Sequence, residues 1–314
     1  MIQAIKNILI ENAAAELKTV FLRCSEALEN AREIRLRQGL PLAIRAAEGD
    51  FFISQSGNLQ KTPKGAFLPS AMHITDMVEK LCSHSLYAFD NEIKNGYITI
   101  SGGHRVGLCG RVAVENGHIK TIKHVSGLSV RVARQVIGAA DHIIPYIYNS
   151  EKMRNTIIIS PPGHGKTTML RDAVRRLSNA GNNVAVIDER SEIAACHLGA
   201  AQMDLGWRTD VIDAAPKAMG MMMALRALSP QIIAVDEIGG KEDVEAVATM
   251  VRCGISVLCT LHGRDMADVA DRENLSPLLK DGVFERFIFL KDKPKPGSIA
   301  AIYDENHKKV GNWP

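Results

Sequence analysis

The chain has 314 residues, enough for two domains with separate cores. Charged residues make up 23% and hydrophobic residues 46%, which excludes a disordered chain, and a formal net charge of +3 is too small to imply nucleic acid as a partner. No apolar run reaches the roughly eighteen residues that cross a bilayer; the longest, Ala218 to Leu225, is closed by Lys217 and Arg226, so any membrane role is expected to be peripheral.

The N-terminus shows helical spacing and no signal-peptide cleavage site, which points to a cytoplasmic protein. Over 2–29 the apolar positions Ile5, Ile8, Leu9, Leu17, Val20, Phe21 and Leu28 recur at steps of three and four and predict two amphipathic helices. From 33 to 54 the period changes to two, with turns at Gly39-Leu40-Pro41 and Glu48-Gly49-Asp50, which predicts a small antiparallel sheet. Ser70 is placed to cap a helix running to His84, and a second helix over 85–96 is stopped by Gly96. Strands follow over 97–122, with Asn116-Gly117 as the hairpin signal, and VRVAR (130–134) reads as one more. These elements define an α+β N-terminal domain at 1–138.

Gly138-Ala139-Ala140 marks the boundary, with a short helix from Asp141 to Tyr148. The second domain, 139–314, then alternates strands at 156–160, 183–188, 231–236 and 255–260 with helices at 166–179, 216–229 and 241–253. Continuous apolar strands between amphipathic helices imply an α/β fold with a parallel sheet covered on both faces. The last pair, 284–290 and 298–304, reads as antiparallel at the sheet edge. The methionine run Met221 to Met223 is expected to pack in a helix core. Six cysteines without a C-x-x-C pair, in apolar surroundings, predict buried reduced thiols. The basic stretches at 291–297 and 307–309 fall among loop residues and read as solvated surface.

The segment richest in chemistry is TIIISPPGHGKTTMLR (156–171), a strand, a glycine-bearing loop and a helix start. Gly163 and Gly165 can adopt angles closed to other residues, so the loop Pro161-Pro162-Gly163-His164-Gly165 can turn the N–H groups of its last three residues inward around phosphate oxygens, the two prolines shaping the turn without donating. Lys166 supplies an exposed charge, Thr167 a hydroxyl for Mg²⁺, and Thr168 continues the helix whose N-terminus faces the same anion. Ser160 stands where the common phosphate-loop pattern has its first glycine. The strand QIIAVDEIGG (231–240) delivers Asp236 and Glu237 at its carboxyl end, where ligands bind in open α/β sheets. Asp236 is expected to hold Mg²⁺ through water, and Glu237 to orient or deprotonate the attacking water. VIDERSE (186–192) brings Asp188, Glu189 and Arg190 to a third strand end, and SVLCTLHG (256–263) brings His262 to a fourth, in the place of a γ-phosphate sensor.

With these four elements in order, the C-terminal half resembles the RecA-like P-loop ATPases of type II and type IV secretion and of pilus retraction. Those motors carry a phosphate loop, an acidic box, a Walker B strand and a histidine box. EIRLRQGLPLAIR (33–45) looks like the opening sheet of the retraction motors. The segments 96–112, 186–194, 206–240 and 260–263 are similar to those of a sporulation branch of the superfamily. The resemblance implies a homo-hexamer that uses ATP and Mg²⁺, with Lys166 and Thr167 on phosphate and metal, and Glu237 as the catalytic glutamate. Asp188 or Glu189 would assist water, and His262 would read the γ-phosphate. In those motors N-domain and linker arginines reach the nucleotide, sometimes from a neighbouring subunit; Arg105, Arg111, Arg131 and Arg134 occupy the matching segments, and Arg226 stands where the motors carry an arginine before Walker B. The zinc-binding cysteine quartet of type II motors is missing, so no metal domain is implied. The resemblance also implies a partner: a membrane-embedded channel or secretion complex of endospore formation, engaged from the mother-cell side. The alternatives are a nucleic-acid-associated ATPase, for which no basic-aromatic stripe is visible, and a nucleotide-regulated scaffold, against which Glu237 speaks.

Overall fold

A computed structural model describes residues 5–83, 85, 89–311 and 313, which form two compact units. The first comprises the chain through Arg134 together with Ala195–Met203. It opens with three helices where periodicity suggested two: α1 (Ile5–Asn12), α2 (Ala15–Arg23) and α3 (Ser25–Asn30). Cys24, at φ −107° and ψ 24°, ends α2 and starts α3, a break that leaves the apolar spacing intact. Ile5, Ile8, Leu9, Leu17, Val20, Phe21 and Leu28 are all buried.

The sheet of this unit contains β1 (Glu33–Arg37), β2 (Ala43–Ala46), β3 (Gly49–Ile53) and β4 (Leu59–Gln60). Next come α4 (Ala71–Leu81) and α5 (Asp90–Lys94), then β5 (Tyr97–Ile100), β6 (His104–Glu115) and β7 (His118–Arg131). Ser70 caps α4 by accepting from the His73 N–H, as its position suggested. Part of the helix expected over 85–96 falls at 86–88, outside the described residues. The strand order is β4-β3-β2-β1-β7-β6-β5. Alternation puts Ile34 and Leu36 of β1 opposite Val130 and Leu128 of β7, and all four are buried under the helices. Asn116 and Gly117 turn the β6–β7 hairpin with φ of 51° and 76°, the pair of positive angles that a tight hairpin requires. Ala195–Met203 is tied in by the Gly102 N–H donating to Gln202 Oε1 at 2.8 Å and by His197 Nδ1 lying 2.8 Å from the Thr99 carbonyl.

The second unit comprises Gln135–Ala194 and Asp204–Pro314. Its elements are α6 (Ile144–Ile147), β8 (Thr156–Ser160), α7 (Lys166–Asn179), β9 (Val184–Asp188), β10 (Thr209–Asp213), α8 (Lys217–Ala227) and β11 (Ile232–Val235). They continue with α9 (Lys241–Arg252), β12 (Ser256–His262), α10 (Met266–Ala270), α11 (Ser276–Lys280), β13 (Arg286–Lys291) and β14 (Ser298–Asp304). The order β10-β9-β11-β12-β8-β13-β14 is parallel throughout except for β14, which pairs antiparallel with β13. Ile157, Val186, Ile233 and Leu258 are each at most 1% exposed, because helices cover both faces.

Two packing expectations need correction. Of the methionine run, Met221 alone is fully buried, while Met223 is 54% exposed, since three consecutive helical positions cannot all face one core. Of the cysteines, Cys109 and Cys253 are exposed, the first on the outer face of β6 and the second just past α9.

Candidate functional site

The parallel strands end together, so the turns after β8, β9, β11 and β12 meet at one edge of the second sheet. After β8 the chain enters the loop through Ser160, which is buried and paired in register with His262 of β12. Gly163 and Gly165 have φ of 77° and 90°, left-handed angles that a side chain would strain. Gly165 also has a spatial reason: a Cβ there would come within 3.0 Å of the Gly297 nitrogen. That nitrogen donates to the His164 carbonyl at 2.8 Å and braces the loop. His164 Nδ1 lies 2.9 Å from the Pro162 carbonyl.

Lys166 is 5% exposed, contrary to the exposed charge expected from sequence. Its ammonium donates to the carbonyls of Ser160 (3.0 Å) and Pro161 (3.2 Å) and lies 3.0 Å from His262 Nδ1. Burial draws its pKa below the usual lysine value, against the opposing pull of the Glu237 and Asp236 carboxylates. An ammonium has no lone pair, so His262 Nδ1 must accept. The imidazole proton then sits on Nε2, which is 2.7 Å from Glu237 Oε1. Lys166, His262 and Glu237 therefore form one continuous hydrogen-bonded chain. Glu237 holds φ at 52°, a conformation uncommon for a side-chain-bearing residue and concentrated at functional sites. Its other oxygen is 3.7 Å from the Arg190 guanidinium.

Beside this chain, the Thr167 hydroxyl donates to Asp236 Oδ2 at 2.7 Å. The second oxygen of Asp236 accepts from Thr260, whose oxygen in turn accepts from the Glu237 N–H at 2.8 Å. Thr260 was missed from sequence; its signal was a hydroxyl within the apolar strand SVLCTLHG, and it is fully buried. It orients both acidic residues at once.

The third strand end is occupied differently. Asp188 is 2% exposed and accepts three backbone N–H groups, from Glu192 (2.8 Å), Ile193 (2.9 Å) and Ala194 (2.7 Å). Burial pushes its pKa up to about 6, with those N–H groups pulling the other way. Arg171 of α7 closes the same turn by donating to the Ile193 carbonyl at 2.6 Å. Glu189 pairs with Lys217. In the first unit, Arg134 donates to the carbonyls of Asn30 (2.8 Å) and Ala31 (3.2 Å), and Arg105 lies over the Tyr97 ring at 3.8 Å. Arg131 and Arg111 are exposed.

The sequence profile of the family described as "Sporulation stage III, protein AA" matches residues 3–310. The chain belongs to that family. It is 38% identical over 279 residues to stage III sporulation protein AA of Bacillus subtilis (strain 168), covering 87% of each chain. Among solved structures it is similar to the pilus retraction motor PilT with bound ADP, at 17% identity and a TM-score of 0.60, over 89% of this chain and 80% of that one. It is also similar to the Legionella pneumophila ATPase DotB, at 16% identity and a TM-score of 0.54, over 93% and 77%. At such identities the likeness is one of fold, and this chain has the RecA-like P-loop architecture.

Proposed function

We propose that the chain hydrolyses ATP, as one subunit of a ring that drives a membrane-embedded channel or secretion complex during endospore formation. The observation that carries this reading is the Lys166–His262–Glu237 chain ending beside the Thr167–Asp236 pair. A phosphate arriving at the loop meets the N-terminus of α7, the nest at Gly163 and Gly165, and the Lys166 ammonium. The Thr167 hydroxyl and the Asp236 carboxylate are hard oxygen donors that suit Mg²⁺. They would hold the ion together with nucleotide oxygens and water, and the ion would supply positive charge to the phosphates. Glu237 accepts the proton of the attacking water, and His262 links that carboxylate to the lysine that senses the phosphate. Asp188 acts as a positioning residue that shapes the 189–194 turn, leaving Glu237 as the base.

The motor assignment draws on the family and on the fold shared with retraction and secretion ATPases. No helix among the described residues is long and apolar enough to cross a membrane, which suits peripheral attachment on the mother-cell side. Glu237→Gln tests the reading, because it keeps the shape and loses the base. Such protein should bind ATP with near-normal affinity and release phosphate at least about a hundredfold more slowly. Unchanged turnover would remove Glu237 from the mechanism, and turnover barely above background in the parent protein would favour the scaffold.

A further inference from the structure

Next to the phosphate loop the second unit holds a cleft whose floor is Gly165, Thr168 and Met169, at the start of α7. Its walls come from Val136, from the loop between β13 and β14 with Pro294, from Ile299 of β14 and from Trp313, with Lys291, Lys295 and His142 at its polar side. The loop wall is fixed to the phosphate nest by the Gly297–His164 hydrogen bond. The C-terminal wall is fixed as well. The Val310 N–H donates to the Ile302 carbonyl at 2.8 Å, and the indole N–H of Trp313 donates to the Val310 carbonyl at 3.3 Å. The indole packs against the Tyr146 ring with centroids 5.4 Å apart. Gly311 permits this approach, since a Cβ there would come within 2.8 Å of the Tyr146 hydroxyl. With its only donor spent on its own chain, Trp313 offers the cleft an apolar aromatic surface.

We propose that this cleft receives the base of the bound nucleotide, with Trp313 as a wall on which the base packs. The C-terminal segment is then part of the nucleotide site. The inference rests on the phosphate-loop reading above: phosphates held at residues 163–167 leave the base to find a slot one ribose and α-phosphate away, and this cleft adjoins the loop through Gly165. The opening on the other side is lined by Asp188, Glu189, Arg190, Lys217 and Glu237, charged groups that a base would have to desolvate. A planar base gains more against Met169 and an indole face.

Trp207 is 82% exposed and the chain has two tryptophans, so Trp207→Phe leaves Trp313 as the sole indole reporter. In that protein ATP should change Trp313 emission, and tripolyphosphate, which lacks a base, should bind in competition without doing so. Trp313→Ala should then raise the Kd for ATP about tenfold or more, as expected for a lost stacking surface, and shift that for tripolyphosphate less than about twofold. Trp313→Phe should recover most of the ATP affinity. Equal weakening of both ligands, or no weakening of ATP, overturns the base pocket while leaving the phosphate loop standing. Failure of both ligands to bind the parent protein overturns the loop reading and this one with it.

Discussion

Asp188 shows how a single residue's role follows from its surroundings. A carboxylate buried among β9, α7 and the turn is penalised when charged, and the three N–H groups that point at it recover part of that cost. Its folded pKa of about 6 lies above the usual 3.8. The native state therefore holds this proton to higher pH than the unfolded chain, and stability falls as pH rises from about 4 to about 6. A shift of that size corresponds to about 3 kcal/mol. Asp188→Asn cannot titrate, so the stability of the natural chain relative to the variant should decline by about this amount across that window, measured as urea midpoints at several pH values. Parallel curves for the two proteins would show that Asp188 does not titrate there. Glu237 carries a different residue-scale cost: its left-handed backbone is worth roughly 1–3 kcal/mol of strain. The Thr260 hydroxyl, accepting from its N–H, helps to hold that conformation against relaxation.

At the scale of elements, what was legible depended on whether a contact is written locally. β8, β9, β11 and β12 are continuous apolar runs because helices cover both faces, and such runs can be read directly. β10 was missed, because an edge strand with partly exposed residues, TDVID, carries little pattern. The membership of Ala195–Met203 in the first unit was hidden too, since it depends on the fit of Gly103, whose Cβ would meet that of Ala195 at 2.7 Å. The same division runs through the candidate site. The glycines, Lys166 and Thr167 stand in one loop, and the acidic pair and His262 close their strands, so their convergence could be anticipated from strand ends. Lys166's burial and the backbone partners of Asp188 could not, because they are made by carbonyls and N–H groups that identical residue types carry everywhere. Close packing between elements gives a test of its own. Gly220 of α8 faces β9, and a Cβ there would lie 2.5 Å from Ile187 Cγ2. Gly220→Ala gains about 0.5–1 kcal/mol of helix propensity but must displace a fully buried isoleucine, at about 1–3 kcal/mol. The net expectation is a loss of about 1 kcal/mol and a lower thermal midpoint; a raised midpoint would show that α8 moves away from the sheet at little cost.

For the whole molecule, the proposed ring makes a demand that one subunit cannot meet: an arginine from a neighbouring copy to stabilise charge developing on the transferred phosphoryl group. The structure ranks the candidates. Arg134 spends its guanidinium on the carbonyls that end α3, and Arg105 is laid over Tyr97, so both have work within the first unit. Arg111 of β6 and Arg131 at the end of β7 are both exposed and both remain candidates; Arg131 is the one we expect to reach across, and Arg111→Ala is its control. Arg134→Ala should then lower stability more than turnover. Arg131→Ala should leave stability within about 0.5 kcal/mol, as for an exposed position, and cut hydrolysis by about 10³-fold or more. Specific activity of the natural chain should rise with protein concentration as rings assemble. Mixing Arg131→Ala with Glu237→Gln separates a neighbour's contribution from a local one. Each variant is inactive alone, but a mixed ring contains junctions where an intact Glu237 faces an intact Arg131, so activity should return to a fraction set by the mixing ratio. Activity independent of concentration, with no recovery on mixing, would mean that every subunit completes its own site and that the ring is not needed for catalysis.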